Sequence, residues 1–260
     1  MRISATIITH DEQDEIADAI ATLGFADEIV VVDSGSTDRT REICRELGAE
    51  VIVQPWLGFG PQKQLAVERC AHDWVFGLDA DERVSPALDS FLRELKRRPE
   101  SELADAYAFA RRNYYQGHPM RSRYPDWQLR LFHRGRGGWQ DVEIHEQVEM
   151  RAGARVERVP RDILHYTIRS ADQHHRIIGE RWAPVHARRM AEAGRRISML
   201  EVMTAAPRAF FDRFVVQGGV RDGFAGYCVS MFTAYEAFLH HLMRWEEQRA
   251  TDESPRAERW

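Results

Sequence analysis

The stretch that decides the fold is WVFGLDADE, residues 74–82, in which a short apolar run ends in two carboxylates, Asp79 and Asp81. In an extended strand, side chains two residues apart point the same way, so these carboxylates project together from the end of the strand. Open α/β sheets bind their ligands at this carboxyl end. Carboxylate oxygens suit Mg²⁺ or Mn²⁺, which commonly take one or two protein carboxylates together with substrate phosphates. The stretch therefore predicts a metal-assisted site for a nucleoside diphosphate. The alternative is a plain polar loop that leads into the next helix.

The residues before this stretch alternate between apolar runs and helical patterns. Strands are predicted at 3–8, 29–32 and 51–53, and helices over 12–23 and from Ser36, as its N-cap, to Gly48. Such alternation indicates an α/β fold, a Rossmann-like parallel or mixed sheet with helices on both faces. Asp33 ends the second strand as Asp79 ends the fourth, so we expect their carboxylates to converge on one crevice.

Composition limits the class of protein. The chain has 260 residues, of which 43% are hydrophobic and 30% charged, and this is typical of a globular catalytic domain with an appendage. The net charge of −5 argues against a nucleic-acid partner. Cys44, Cys70 and Cys228 are far apart and lack metal-binding spacing, which suits a reducing cytoplasm. The apolar start is too short for a signal peptide, so we expect a cytoplasmic protein.

Four segments resemble one known family in their order and spacing. They are ITHDE at 8–12, VDSGSTD at 32–38, GFGPQKQ at 58–64 and LDADER at 78–83, and together they resemble family-2 glycosyltransferases of the GT-A fold. Three further segments, RLF at 130–132, IHE at 144–146 and DGFAG at 222–226, resemble the bacterial enzymes that add glucose or a related sugar to the lipopolysaccharide core. The chain departs from the family at Asp11 and Gln64, where the family usually has Asn.

The resemblance assigns roles to individual residues. It implies that Thr9, Glu12 and Asp33 hold the nucleoside, and that Asp79 lies by the ribose and the metal. Lys63 and Arg130 are candidates for further phosphate contacts, but the chain has 36 Lys and Arg residues, so a surface role is favoured for either one singly. The implied ligands of the Mg²⁺ or Mn²⁺ ion are Asp79, Asp81 and His165. The alternative for His165 is a histidine of the core.

The resemblance also implies a catalytic base. The glycine-rich GRGGW, residues 135–139, precedes Glu146, which would take the proton of the acceptor hydroxyl during a single inverting displacement. His145 would orient Glu146. Asp126 is the rival base, and Trp127 beside it can stack on a sugar face. The alternative is that Glu146 is an exposed loop residue.

The pattern becomes helical from Ser170 onward. Pro184 is expected to kink or split the helix predicted over 171–193. Farther on, apolar residues recur every three or four positions in a stripe formed by Phe224, Cys228, Met231, Tyr235, Phe238, Leu242 and Trp245. The longest uncharged stretch of this segment, 224–235, is too short and too polar to span a bilayer. With Arg213, Arg221 and Arg244 nearby, the stripe suits a helix in a membrane interface. The alternatives are packing on the catalytic domain or on a second subunit.

The change from alternating strands to helices divides the chain into three predicted parts. They are a catalytic domain, 1–168, a helical extension, 169–250, and a disordered tail, 251–260.

The paired carboxylates and the family resemblance together imply an inverting, metal-dependent glycosyltransferase. The expected donor is a nucleotide sugar, UDP-glucose, and the expected acceptor is a lipid-linked or lipopolysaccharide-core saccharide. We expect the enzyme to contact the membrane peripherally. A sugar nucleotidyltransferase is the first alternative, but residues 9–14 lack the glycine-rich triphosphate loop and lysine that it needs. The second alternative is a non-catalytic sugar- or partner-binding module, and the intact Asp79, Asp81 and Glu146 count against it.

Overall fold

The computed structural model describes residues 1–141 and 146–253, and its chain forms two compact units. Unit 1 contains residues 1–112 and 125–165, and unit 2 contains residues 113–124 together with the chain from residue 166 onward. The sequence-based division places 113–124 in the catalytic domain. In the structure, Tyr115 and Met120 of this segment pack with Ile168 and Ala225 in the core of unit 2.

A mixed β-sheet carries the fold. Its strands are β1 (Ile3–Thr9), β2 (Glu28–Asp33), β3 (Glu50–Val53), β4 (Trp74–Asp79), β5 (Glu82–Val84), β6 (Ala106–Tyr115), β7 (His118–Pro119), β8 (Asp126–His133) and β11 (Val156–Ile168). A separate small sheet pairs β9 (Gly137–Trp139) antiparallel with β10 (Val148–Met150). The order in the main sheet is β3-β2-β1-β4-β8-β6-β11-β5, and β7 pairs with β6. The α/β fold with a mixed sheet that the sequence predicted is confirmed.

Strands β1 to β4 are parallel, and their register positions the site. Thr9 lies beside Asp33, and Ile8 lies beside Asp79, so the strands end at the same edge of the sheet. Strands β1, β2 and β4 consist largely of buried apolar residues, because helices cover both faces of a parallel sheet. The remaining main-sheet pairings that join β4 to β8, β6 to β8 and β5 to β11 are antiparallel.

Helices flank the sheet in unit 1 and dominate unit 2. Unit 1 contains α1 (Ile16–Ala21), α2 (Thr40–Glu46), α3 (Phe59–Arg69) and α4 (Pro86–Leu95), and unit 2 contains α5 (Ala171–Ile177), α6 (Ala183–Glu192), α7 (Met199–Phe211) and α8 (Gly223–Glu253). A π-helical turn, Ile178–Trp182, lies between α5 and α6 directly before Pro184, and the backbone stays helical through it, so the helix changes type here but is not divided. Within the described residues, none of the helices combines the length and apolar character that crossing a bilayer requires.

Helices α1 and α2 both begin about four residues later than the sequence predicts. Residues 10–15 form a loop in which Asp11 has a positive φ of 53° and the backbone N–H of Glu12 donates to Thr40 Oγ1. The hydroxyl of Ser36, the predicted N-cap of the second helix, instead donates to the carboxylate of Asp33. Hydrogen bonds between two loops therefore replace the first helical turn of each helix.

Candidate active site

Asp33 organises the loop that follows β2. Its carboxylate is fully buried and accepts hydrogen bonds from the backbone N–H groups of Gly35 and Ser36, each at 3.0 Å, and from the Ser36 hydroxyl. The turn requires the positive φ of 94° at Gly35. Asp33 thus shapes the loop at the end of β2, while its contact with a nucleoside stays a prediction.

Asp11 joins this loop to the one that follows β1. Its Oδ1 accepts from the backbone N–H of Thr37 at 2.6 Å, and its own N–H donates to Ser36 Oγ at 2.9 Å. Between the two loops, Thr9 is buried at the end of β1, and its hydroxyl has no hydrogen-bond partner in the described part of the chain. A buried hydroxyl without a partner is costly unless something binds it, so Thr9 is a candidate contact for a ligand.

Lys63 connects two acidic residues that lie far apart in the sequence. Its ammonium Nζ lies 2.8 Å from Asp79 Oδ1 at the end of β4 and 2.7 Å from Glu146 Oε1. On the other side of Asp79, Arg130 Nη2 lies 2.7 Å from Oδ2 and also 2.7 Å from Glu82 Oε1. The structure therefore brings Lys63, Asp79, Arg130 and Glu146, four of the predicted site residues, into one charged network.

The network stabilises the charged forms of Asp79 and Arg130. Burial disfavours the charged form of Asp79, but Arg130 and Lys63 outweigh it and hold the pKa of the Asp79 carboxyl well below its usual value. Burial would also lower the pKa of Arg130, but the carboxylates of Asp79 and Glu82 outweigh that effect and raise it. Buried charges of this kind persist only when they are paired, so each member constrains the others.

Asp81 forms an ion pair with His165, whereas Asp79 pairs with Lys63 and Arg130. His165 Nε2 lies 3.2 Å from Asp81 Oδ2. Burial alone would lower the pKa of His165, but the hydrogen bond to Asp81 and the charges of Asp81 and Glu82 raise it. Within residues 1–141 and 146–253, no three His, Cys, Asp or Glu side chains form a group that could hold a metal ion by themselves. One carboxylate and one imidazole nonetheless suit an ion that takes its other ligands from a diphosphate.

Asp126 is held by an arginine. Its Oδ2 accepts from Arg111 Nε at 2.9 Å and from Nη2 at 2.7 Å, and Arg111 Nη1 also donates to Glu82 Oε1. The guanidinium of Arg158 lies 5.5 Å from the centre of the ring of Trp127, the predicted sugar platform. His145, the predicted orienting residue, lies outside the described residues.

Sequence reasoning did not identify Glu82 or Trp139 as parts of the site. Glu82 is fully buried in β5 and bonds to both arginines, Arg111 and Arg130. The Trp139 ring lies 4.7 Å beneath the Lys63 ammonium, where the two can form a cation–π contact. Two features of the sequence point to these residues. Glu82 ends the acidic run DADE, and Trp139 ends the segment GRGGW.

Gly77 and Gln64 fix the position of Trp139. A Cβ at position 77 would lie only 3.1 Å from the Trp139 ring, so a larger residue would displace the indole. Gln64 Oε1 accepts from the backbone N–H of Trp139 at 3.0 Å. Gln64, one of the two departures from the family pattern, therefore has a structural role here.

The sequence of this chain is similar to those of known glycosyltransferases. A family model described as glycosyl transferase family 2 matches residues 4–159. The lipopolysaccharide core biosynthesis glycosyltransferase LpsC of Rhizobium meliloti is 31% identical over 249 residues, which cover 91% of this chain and 89% of LpsC. An uncharacterized glycosyltransferase of Rickettsia felis is 50% identical over 88 residues, 34% of this chain and 31% of that protein.

Two solved structures of bacterial proteins align with this chain. Glucosyl-3-phosphoglycerate synthase from Mycobacterium tuberculosis, solved with Mn²⁺, UDP and glucosyl-3-phosphoglycerate, has a TM-score of 0.36 and 24% identity over 43% of this chain and 44% of that chain. S. aureus TarS in complex with UDP has a TM-score of 0.45 and 10% identity over 96% of this chain and 92% of that chain.

The contacts of Asp11 predict that asparagine can replace it. Asn tolerates a positive φ as Asp does, and its amide oxygen can accept the same N–H of Thr37. We expect Asp11→Asn to change the free energy of unfolding, measured with urea, by less than about 0.5 kcal/mol. Asp11→Val loses the bond and places a β-branched residue at positive φ, so it should lower that free energy by roughly 1–3 kcal/mol. Equal stability of the two variants would show that this loop contact contributes nothing.

Proposed function

We propose that this chain, which belongs to glycosyl transferase family 2, transfers a sugar from a nucleoside diphosphate donor to an acceptor hydroxyl and inverts the anomeric configuration. The observation that carries the proposal is the position of Lys63 Nζ, which contacts both Asp79 and Glu146. This contact supports one site in which the carboxylate next to the donor and the carboxylate next to the acceptor are neighbours. A sugar nucleotidyltransferase loses support because the family model matches residues 4–159.

The donor is proposed to be UDP-glucose. The resemblance of the chain to lipopolysaccharide core glucosyltransferases supports this choice. The Thr9 hydroxyl, which has no hydrogen-bond partner among the described residues, offers the nucleoside a contact at the end of β1. In this proposal Glu12 and Asp33 also contact the nucleoside. Asp79 lies by the ribose, and the two phosphates lie near Lys63 and Arg130, whose positive charges attract them.

A divalent cation, Mg²⁺ or Mn²⁺, is proposed to be held by Asp81 and His165. These two residues fit it because a carboxylate oxygen and an imidazole nitrogen already lie 3.2 Å apart. Asp79 fits less well, since both of its oxygens pair with cationic side chains. When bound, such an ion supplies positive charge that offsets the negative charge of the departing diphosphate.

Glu146 is proposed to act as the general base. Its Oε1 pairs with Lys63, and among the described residues Oε2 has no hydrogen-bond donor, which leaves it to accept the proton of the acceptor hydroxyl. The acceptor oxygen then bonds to the anomeric carbon on the face opposite the nucleotide. The bond from that carbon to the diphosphate breaks, its electron pair leaves with the nucleoside diphosphate, and the configuration inverts. Asp126 is less suited because Arg111 binds it with two N–H groups.

The acceptor is proposed to be a lipopolysaccharide-core or other lipid-linked saccharide. The support is the 31% identity to LpsC, a protein named for lipopolysaccharide core biosynthesis, over 91% of this chain. Such an acceptor is anchored in a membrane, so we also propose that the enzyme works in the cytoplasm with peripheral membrane contact.

Asp81→Asn tests the metal assignment. An amide is a weaker ligand than a carboxylate, so UDP affinity in the presence of Mn²⁺, measured by calorimetry, should fall roughly tenfold or more. EDTA should lower wild-type affinity similarly. Asp73→Asn is the matched control, because Asp73 precedes β4 at the opposite end of the strand and pairs with Arg134. Unchanged UDP affinity in the Asp81 variant, or full wild-type affinity in EDTA, would remove the metal from the proposal.

Glu146→Gln tests the base. The amide keeps the size of the side chain and an oxygen for Lys63 but accepts no proton, so transfer from UDP-glucose to a core saccharide should slow by roughly 10²–10⁴-fold while UDP affinity persists. Asp126→Asn is the control and should stay within about tenfold of the wild-type rate. If the Asp126 variant is inactive and the Glu146 variant active, the two roles must be exchanged. A wild-type protein that binds UDP but transfers sugar from no donor would indicate a binding module.

A further inference from the structure

The turn between α7 and α8 in unit 2 presents large apolar side chains to solvent. Five of them, each 50–80% exposed, form what we call the apolar tip: Phe211, Val215, Val216, Val220 and Phe224. Single exposed apolar residues are common on protein surfaces and need no explanation. A group concentrated in the short segment 211–224 is different, because contiguous exposed apolar surface usually marks a contact with another molecule.

Ring contacts and a close approach of two backbone segments fix the shape of the chain around the apolar tip. Aromatic rings of Phe210, Phe214 and Tyr227 contact one another, with ring centres 5.3–6.2 Å apart. A Cβ at Gly226 would overlap the carbonyl oxygen of Gly219, so the two backbone segments can approach only with glycine at this position. These contacts hold the turn in one shape, and its apolar side chains therefore stay at the surface.

One face of α7 extends the apolar surface. Met199, Leu200 and Met203 are 63–69% exposed, and the three- and four-residue steps of a helix place them on the same face as Pro207 and Phe211. The apolar surface therefore runs from the first turn of α7 to the apolar tip.

Arginines surround the apolar tip. Arg208 and Arg221 are exposed and flank it in the sequence, and Arg121 and Arg123 lie close to it, because Asp222 accepts the backbone N–H groups of Arg121 and Ser122. Of the two acids in segment 211–224, Asp222 is thus engaged in holding backbone, and the exposed Asp212 accepts a hydrogen bond from Gln217 Nε2. We call these four exposed arginines the arginine rim.

Two arginines that the sequence placed beside the membrane are unsuited to lipid contact. Arg213 is buried and donates to Ser122 Oγ, and burial together with the charge of Arg123 lowers its pKa. Arg244 donates to the carbonyl of Arg195 and pairs with Glu247. The stripe on α8 is also divided, since Phe224, Met231 and Phe238 are exposed while Cys228 packs partly against the core of unit 2.

We propose that the apolar tip and the arginine rim form a docking surface for a membrane that contains anionic phospholipid. A bilayer offers apolar chains to the apolar tip and phosphate head groups to the arginine rim at the depth of the interface. A second copy of the chain fits less well, because a two-fold contact through the apolar tip would place one arginine rim against the other. The inference rests on the membrane contact of the proposed function, but it does not depend on the sugar chemistry.

Flotation of the full-length protein with vesicles tests the surface. The vesicles are phosphatidylcholine alone or phosphatidylcholine with about one-third phosphatidylglycerol, chosen because anionic lipid attracts arginine. The double substitution Val216→Asp with Phe224→Asp should lower the vesicle-bound fraction by roughly tenfold or more, because it places charges where apolar contact is needed. The matched control is Leu47→Asp with Val156→Asp in unit 1, at residues 44% and 45% exposed, and it should float as the wild type does.

A second variant separates the arginine rim from the apolar tip. Arg208→Gln with Arg221→Gln should weaken binding to the anionic vesicles and reduce its salt dependence, while binding to neutral vesicles stays unchanged. Failure of the wild-type protein to float, or equal flotation of the apolar-tip variant, would overturn the proposal. Sedimentation that shows a wild-type dimer, which the apolar-tip variant converts to a monomer, would overturn it in favour of a subunit interface.

UDP binding in the presence of Mn²⁺ distinguishes this inference from the proposed function. The apolar-tip variant should bind UDP normally while it fails to float, and Asp81→Asn should float normally while its UDP binding is weakened. If the wild type floats but binds no nucleotide, the membrane surface stands and the proposed function fails.

Discussion

The pairing of Lys63 with Asp79 and Glu146 is the interaction on which the candidate site depends. Lys63 lies on α3, Asp79 ends β4, and Glu146 follows the β9 strand, so one ammonium group connects three parts of the unit. Trp139 packs beneath the same ammonium. Asp79 is only partly exposed, and a carboxylate largely removed from water is costly without a cation, so loss of Lys63 would leave Asp79 dependent on Arg130 alone.

The second constraint is the burial of Glu82. This carboxylate is fully buried, and it accepts hydrogen bonds from Arg130, Arg111 and the backbone N–H of Asp79. Two charged groups, one that includes Lys63 and Glu146 and one that includes Asp126, are thereby joined through one residue. A site with this many paired charges is organised before any ligand arrives, which reduces the rearrangement that binding would require.

The strands and the family were predictable from the sequence, and the loops were not. Strands β1, β2 and β4 follow from apolar runs that end in Thr9, Asp33 and Asp79, because a buried parallel strand leaves a clear local pattern. The starts of α1 and α2 were predicted too early, since Asp11 and Ser36 form hydrogen bonds with each other's loops across 25 residues or more. Local propensity carries no information about such partners.

The sequence suggests candidate residues more readily than it suggests their pairings. Lys63, Asp79 and Glu146 were each named as candidates, but the Lys63–Glu146 contact joins residues 83 positions apart, a separation over which hydrophobic periodicity carries no information. Glu82 was missed because a buried acid and an exposed acid look alike in the DADE run. On α8, helical spacing identified an apolar stripe, yet only packing reveals that Phe224 is exposed and that the nearby Arg213 is buried.

A double-mutant cycle between Lys63 and Glu146 tests most directly whether the two residues act in one site. The rate of sugar transfer is measured for the wild type, Lys63→Met, Glu146→Gln and the double variant. Because the two side chains are in direct contact, their effects on the activation free energy should be coupled by roughly 0.5–3 kcal/mol, with the double variant less impaired than the two single effects combined. Effects that add to within about 0.3–0.5 kcal/mol would contradict the account, because they would mean that Lys63 and Glu146 act independently.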